Sequence, residues 1–276
     1  MTEGSRGMER IFNVACAGLG LIGGSFFKAA AEAGYAAEGF HHGEKADFSR
    51  FDLILVSMPP SAIATWIREN CATFKDSAVV VDVCGVKRPL YEAFRLEGLK
   101  TKWMYVGGHP MAGREVSGYA NSTPDLFKGA SMILTPYPYA GRGVLDSLES
   151  FFLSLGFGRV VFTTPERHDE MIAFTSQLCH IISSAYVREP LAQDHVGFSA
   201  GSFRDMVRVG APDPDVWTEL FLLNRDRLSD VLGRYIARLE EFKSAIDAND
   251  AKRLKASLDE GLPAKRGILK NSPNLR

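Results

Sequence analysis

The sequence predicts an α/β domain with a doubly wound, mainly parallel sheet, followed by an all-helical domain. Three observations carry this. Short apolar runs alternate with segments of helical spacing from Ile11 to Thr163, the pattern of repeated βαβ units. A glycine-rich turn joins the first run to the first helical segment. Beyond Thr163 strand signals vanish and only helical periodicity remains, which places the domain boundary there, with residues 1–163 ahead of it and 164–276 behind.

Ile11 to Ala17 is a buried parallel strand, apolar throughout. Ile22 to Ala33 is Ala-rich with helical spacing, and Gly34 stops it. Ala36 to Phe40 is the second strand, and so few residues separate Phe40 from the next one that a connecting element is expected to be shortened to a loop. Leu53 to Ser57 is a strand ended by Pro59 and Pro60, and Ala62 to Asn70 a helix. Ala78 to Val83, with Val79, Val80 and Val81 in a row, favours a buried sheet position. A helix over Pro89 to Leu96 leads to strands at Met104 to Val106 and Met132 to Leu134, then a helix over Val144 to Leu155 and a strand at Val160 to Phe162. Pro165 suits the first turn of a helix running to about Val187. Val196 to Val209 has helical spacing, Asp215 to about Ala248 reads as one long amphipathic helix, and Ala251 to Leu258 as a shorter one. The tail from Gly261 reads as loose.

Composition narrows the function classes. The 276 residues are 46% hydrophobic and 24% charged, with net charge −1, so no global basic field draws nucleic acid or an anionic membrane. Four cysteines stand far apart with no C-x-x-C spacing, so reduced thiols and no metal site are expected. Gly18, Gly20, Gly23 and Gly24 break the apolar stretch after Arg10, which excludes a signal-peptide core, and no run approaches a membrane span. A cytoplasmic location is the expectation.

Gly18-Leu19-Gly20-Leu21-Ile22-Gly23 is a G-x-G-x-x-G placed after a strand and at the start of a helix, the Rossmann fingerprint for a dinucleotide. Gly18 permits the tight turn, Gly20 lets the backbone approach a pyrophosphate, and Gly23 allows close helix–strand packing; Leu21 and Ile22 belong to the same phosphate-facing turn. NAD is usually selected by an acid at the end of the second strand. Here that strand ends Gly39-Phe40-His41-His42, and Glu44 follows past it. His41 or His42, alongside Lys45, offers donors to a 2′-phosphate, so the choice between NAD and NADP stays open.

Gly107-Gly108-His109-Pro110-Met111-Ala112-Gly113-Arg114-Glu115 resembles the GxHPMAGxE signature of prephenate and arogenate dehydrogenases. Gly18 to Ser25 resembles that family's cofactor loop, and Asp82 to Lys87 its D-V-G-S-V-K segment. Ser176-Gln177-Leu178-Cys179-His180 resembles S-H-L-P-H, and Gly201 to Val209 with Asp213-Pro214 and Trp217 resembles its G-G-F-x-D-x-x-R…DPxxW segment. The resemblance implies a helical dimerisation domain, a homodimer, and oxidative decarboxylation of prephenate or arogenate in tyrosine biosynthesis. It implies that His109 accepts the ring-hydroxyl proton as hydride leaves, a task suited to a neutral imidazole. It implies that Arg208 clamps a substrate carboxylate, with Arg204 as an alternative, and that His180, Glu115, Gln177 and Lys87 line or position the pocket. No separate tyrosine-binding regulatory domain is expected.

Two departures bear on the substrate. Gly85 stands where the family pattern has a serine that hydrogen-bonds the ring hydroxyl. Gln177 replaces the first histidine of S-H-L-P-H, keeping hydrogen bonding without charge, and Cys179 replaces its proline. They leave open a divergent dinucleotide-binding dehydrogenase, or a sensor whose substrate has changed or been lost.

Overall fold

Apolar runs at Val14–Ala17, Leu53–Val56 and Val79–Val81 are wholly buried because they form the middle of one seven-stranded sheet. The computed structural model of the protein describes residues 11–96, 101–114, 116–137 and 140–271. The chain divides into two compact units, residues 1–225 and 226–276.

In the first unit, β1 (Asn13–Ala17) leads to α1 (Leu21–Glu32), β2 (Ala36–Phe40), β3 (Leu53–Val56) and α2 (Pro60–Asn70). Then come β4 (Val79–Asp82), α3 (Arg88–Leu96), β5 (Met104–Pro110), β6 (Ser131–Pro136), α4 (Arg142–Ser154) and β7 (Arg159–Phe162). The helical continuation is α5 (Pro165–Ile172), α6 (Leu178–Tyr186), α7 (Gly201–Val207) and α8 (Pro214–Leu223). The sheet order is β2-β1-β3-β4-β5-β6-β7, and every pairing is parallel except β5 with β6. No helix separates β2 from β3, so the expected shortening to a loop is what the chain adopts. Strand order reverses between β1 and β3, and a crevice at the carboxyl ends of those strands is where ligands bind in such sheets.

The pleat sorts successive residues onto opposite faces. Val14, Cys16, Leu53, Leu55, Val79 and Val81 join one core with Phe26 of α1 and Phe151 and Phe152 of α4. Ala15, Ile54, Val56 and Val80 join the other with Ile63, Trp66 and Ile67 of α2. That two-sided burial is the doubly wound arrangement the sequence predicts.

Several boundaries up to Asn224 differ from the sequence reading. β5 runs on through Gly107 and Gly108 to Pro110, four residues beyond Val106. Only glycine fits there, since a Cβ at Gly107 would lie 2.4 Å from Thr135 Oγ1 and one at Gly108 2.6 Å from the Asp82 carbonyl. The segment after Pro165 is helical as expected, but a π-helical turn at Ala173–Gln177 separates α5 from α6. The Val196–Val209 reading shrinks to α7, with Val196 and Phe198 exposed ahead of it. The long helix expected from Asp215 is broken at Asn224, where φ is −115° and ψ 24°, giving α8 and then α9 (Arg225–Asp247). Apolar periodicity runs through that break because its cause is a tertiary contact of the Asn224 side chain.

The second unit holds α9 from Asp226 onward and α10 (Ala251–Asn271). Asn249, at φ 51°, ends α9: Asp250 N–H reaches the Ala245 carbonyl and Asn249 N–H that of Ile246. Asp250 then caps α10 by accepting the Arg253 N–H at 2.9 Å. The tail read as loose from Gly261 is helical to Asn271, Pro263 included, because the Ala, Leu, Lys and Arg around its glycines are strong helix formers. Among the described residues no helix is long and apolar enough to cross a membrane. All four cysteines are outside any disulfide.

The chain between β5 and β6 crosses back over α1. Lys28 Nζ donates to the Ser122 carbonyl at 2.8 Å, Thr123 N–H donates to Ser25 Oγ at 3.0 Å, and the Lys28 ammonium lies 4.6 Å from the Tyr119 ring centre.

Candidate active site

The crevice begins at the turn after β1. Gly18 has φ +95°, and a Cβ on it would lie 2.1 Å from the Ser57 carbonyl oxygen at the end of β3. A Cβ on Gly23 would lie 2.0 Å from the Gly18 carbonyl oxygen, so α1 can approach β1 only with glycine there. A Cβ on Gly20 would meet nothing within 4 Å. Gly20 is also the N-cap of α1, with no side-chain cap and no acid in the first turn, which includes Leu21 and Ile22. The helix start therefore presents uncapped N–H groups and its positive pole to open space, which fits a dinucleotide pyrophosphate. His41 and His42 follow β2 as exposed residues.

His109 lies near the end of β5, paired with Ile133 of β6, at the carboxyl edge of the parallel strands. Its Nδ1 is 2.9 Å from His168 Nε2, and His168 Nδ1 is 2.7 Å from Asp169 Oδ1. His168 and Asp169 are both buried, at the start of α5. The Asp169 oxygens also accept the Lys87 N–H at 2.8 Å and the Arg88 N–H at 2.9 Å, the first donors of α3. Burial alone would raise the Asp169 carboxyl, but the bond from His168 and these backbone donors hold it below its ordinary range. Burial first, then the neighbouring His168 ring and the Lys87 ammonium, pushes His109 well below the ordinary 6.5. Burial likewise lowers His168, against the pull of Asp169.

These directions orient the protons. An ionised Asp169 only accepts, so His168 carries its proton on Nδ1. Neutral His168 then offers a lone pair at Nε2, which accepts from His109 Nδ1–H. Neutral His109 is left with its lone pair on Nε2. That nitrogen lies 3.9 Å from where a Cβ on Gly85 would be. A side chain at Gly85 would also sit in ordinary contact with Leu220, at 3.4 Å, and the backbone there is open to any residue. Glycine at this position is required neither by conformation nor by crowding; it leaves space in front of the lone pair.

Lys87 turns inward. Its ammonium pairs with Asp82 Oδ1, both side chains fully buried, while Tyr105 donates to Asp82 Oδ2 at 2.6 Å. Gln177 is buried too: its Nε2 donates to the Leu220 carbonyl at 3.1 Å, and its Oε1 accepts from Asn224 Nδ2 at 2.8 Å. Asn224 Nδ2 also donates to the Asp169 carbonyl at 2.9 Å, and Asn224 Oδ1 accepts from Arg88 at 3.2 Å. The π-helical turn makes this sharing possible: an extra residue rotates Gln177 by ~100°, bringing it round toward the face that carries Asp169. Cys84 is a buried packing residue, and burial pushes its thiol up to about 12.

A second group forms along α8. Trp217 and Leu220 share one face of that helix, three residues apart. The His180 ring stands 3.7 Å, centre to centre, from Trp217, and its Nδ1 lies 3.2 Å from the Val209 carbonyl. Val209 follows Arg208, an exposed residue that closes α7. Glu115 lies outside the described residues. His109, Lys87 and Gln177 thus meet in one hydrogen-bonded cluster, and His180 and the Arg208 segment in another, with α8 touching both. Sequence reasoning missed His168, Asp169 and Asn224; the adjacent His-Asp pair at a helix start was the available signal for the first two.

The chain matches the family model for the nucleotide-binding domain of prephenate dehydrogenase over residues 24–162, and that for its dimerization domain over residues 164–260. It is 28% identical over 235 residues to the cyclohexadienyl dehydrogenase of Zymomonas mobilis, covering 82% of this chain and 78% of that protein. It is 27% identical over 199 residues to the prephenate dehydrogenase of Bacillus subtilis, covering 68% of this chain and only 53%, about half, of that relative. A solved prephenate dehydrogenase from A. aeolicus, in complex with hydroxyphenyl propionate and NAD+, is similar with TM-score 0.79 and 25% identity, covering 94% of this chain and 99% of the other.

Proposed function

The chain belongs to the prephenate dehydrogenase family, and from that premise we propose that it oxidatively decarboxylates prephenate or arogenate, as a step of tyrosine biosynthesis. The domains are those of the sequence reading: residues 1–163 bind the dinucleotide, and residues 164–276 complete the substrate pocket and the dimer. The single observation that carries the reaction is the run Asp169–His168–His109, which leaves a neutral imidazole with its lone pair on Nε2 at the edge of the dinucleotide crevice.

A nicotinamide dinucleotide seated at Gly18, Gly20, Leu21, Ile22 and Gly23 supplies the hydride acceptor. The substrate loses hydride from the ring carbon bearing the hydroxyl, loses its ring carboxylate as CO2, and becomes aromatic. His109 takes the hydroxyl proton at Nε2 as hydride leaves and returns it to the phenolate oxygen once the ring is aromatic. The imidazolium so formed keeps its Nδ1–H on His168, with the Asp169 carboxylate one residue further along the relay. Arg208 binds a substrate carboxylate, and His180, held against Trp217, lines the same pocket. Lys87 and Gln177 act indirectly, since both are engaged inside the protein: Lys87 on Asp82, Gln177 on Leu220 and Asn224. Gly85 favours a second reading, a dehydrogenase for a related substrate that fills the space in front of Nε2.

Dimer formation by the helical part is supported by large apolar side chains exposed within the matched dimerization segment, Leu191 at 74%, Val196 at 79% and Phe198 at 93%. A cytoplasmic location goes with this reading. The test is to incubate the protein with prephenate or arogenate and each dinucleotide, following reduced nicotinamide and released CO2 together. Equimolar appearance of both supports the reading; appearance of neither refutes the prephenate and arogenate assignment and favours the related-substrate alternative.

A further inference from the structure

We propose that Glu44 selects NAD+ over NADP+, an inference that rests on the dinucleotide-binding reading above. β2 ends at Gly39-Phe40 with no acidic residue at its last position, and the one carboxylate within it, Glu38, is paired with Arg50. The chain then turns back at once. Glu44 N–H donates to the His41 carbonyl at 3.1 Å, Gly43 takes φ +82°, and Glu44 Oε2 accepts the His41 N–H at 3.0 Å. The turn thus returns a carboxylate from three residues downstream to the first residue past the strand. That residue adjoins the glycine turn, because Gly18 N–H donates to the Phe40 carbonyl at 2.9 Å. Leu19, inside the glycine turn, also packs against β2: a Cβ on Gly39 would lie 2.8 Å from it. In dinucleotide-binding sheets the end of the second strand, beside the glycine turn, is the place of the adenosine ribose.

A carboxylate at that place accepts hydrogen bonds from the ribose 2′-hydroxyl and repels a 2′-phosphate. One Glu44 oxygen is held by the His41 N–H, which fixes the side chain and leaves Oε1 for a ligand donor. The cations that would favour a phosphate are placed less well for it. Arg50 pairs with Glu38 at 2.5 Å, and its guanidinium stands 5.0 Å from the Phe51 ring centre. His41, His42 and Lys45 are exposed on the same turn, and the anchored Glu44 carboxylate offsets the Lys45 ammonium.

The experiment is calorimetric titration of the whole protein with NAD+ and with NADP+, without substrate, for the wild type and for Glu44→Gln. Gln keeps a carbonyl oxygen to accept the His41 N–H, so the turn survives while the charge goes. The wild type is expected to bind NAD+ about tenfold or more tighter than NADP+, and the substitution to shrink that ratio by about tenfold, the worth of one charge-assisted hydrogen bond. Equal or tighter NADP+ binding by the wild type overturns the proposal, as does an unchanged ratio in Glu44→Gln. Should Glu44→Gln bind neither dinucleotide, Glu44→Asp supplies the check: a retained NAD+ preference upholds the role of charge, and a lost preference overturns it. Selective NAD+ binding with no turnover of prephenate or arogenate upholds this proposal and sinks only the substrate assignment. No binding of either dinucleotide by the wild type sinks both.

Discussion

Replacing His168 by leucine removes the group that holds the His109 proton on Nδ1 while leaving His109 in place. The substitution deletes the 2.9 Å hydrogen bond between His109 Nδ1 and His168 Nε2, inside a region where both rings are largely shielded from water. An unpartnered buried donor costs about 1–3 kcal/mol. Neutral His109 then relieves that cost by moving its proton to Nε2, which removes the lone pair that receives the substrate proton. At ~1.4 kcal/mol per factor of ten, kcat is expected to fall about 5- to 150-fold. The ceiling is the ~10²–10⁴ that a positioned general base contributes. Steady-state turnover of prephenate, followed by nicotinamide reduction, measures the fall, and calorimetry measures dinucleotide affinity beside it. The affinity should not change, because His168 lies among α5, β5 and α3 rather than at the glycine turn. His168→Gln, whose amide oxygen can stand where Nε2 stood, should recover most of the missing kcat. A kcat within about twofold of wild type in His168→Leu would refute the tautomer argument. A matching loss of dinucleotide affinity would instead mark general damage to the fold.

Four further outcomes are expected. Because His109 is depressed well below 6.5, chiefly by burial, kcat/KM should stay flat as pH falls through 6.5 and decline only well below it; an inflection at or above 6.5 contradicts the burial argument. The same depression means that the unfolded chain takes up protons which the native one refuses, so urea midpoints should fall with pH below 6.5. Asn224→Ala strips buried partners from the Asp169 carbonyl, Gln177 and Arg88, and should cost about 2–3 kcal/mol in urea unfolding; a loss under about 0.5 would show the helix break to be self-sustaining. In Gly23→Ala the new methyl would lie 2.0 Å from the Gly18 carbonyl oxygen, which must move α1 away from β1. Affinity for either dinucleotide should fall at least about tenfold, and unchanged binding would show that the helix start does not hold the pyrophosphate.

The sheet was legible because each strand is a short apolar run and each break is a glycine or proline. The glycine turn was legible down to single positions, since the space around Gly18, Gly20 and Gly23 differs as their spacing predicts. His109 was legible only through its motif. Its partners were not: His168 and Asp169 sit in Glu166-Arg167-His168-Asp169-Glu170, a polar stretch that reads as an exposed first helical turn, yet both are buried. Beyond the adjacency of His168 and Asp169 nothing local says so, because the compensation comes from β5, from the start of α3 and from Asn224, far along the chain. Lys87 and Gln177 differ in the opposite sense, lying deeper than their sequence context suggests. Their chemistry suggests ligand contact, and the fold uses it to pair Asp82 and to secure α8.

The chain that leaves His109 is pinned to the helix at the phosphate turn by Lys28, Ser25 and Tyr119 before it re-enters the sheet as β6. The strand bearing the imidazole and the helix that follows the glycine turn are therefore two ends of one braced frame, tied once through the sheet and again over its rim. On the proposed reading, that brace sets how far the imidazole stands from the glycine turn. A perturbation at the Lys28 tie, remote from every reacting atom, would be felt as misalignment in the chemistry before it was felt in ligand affinity.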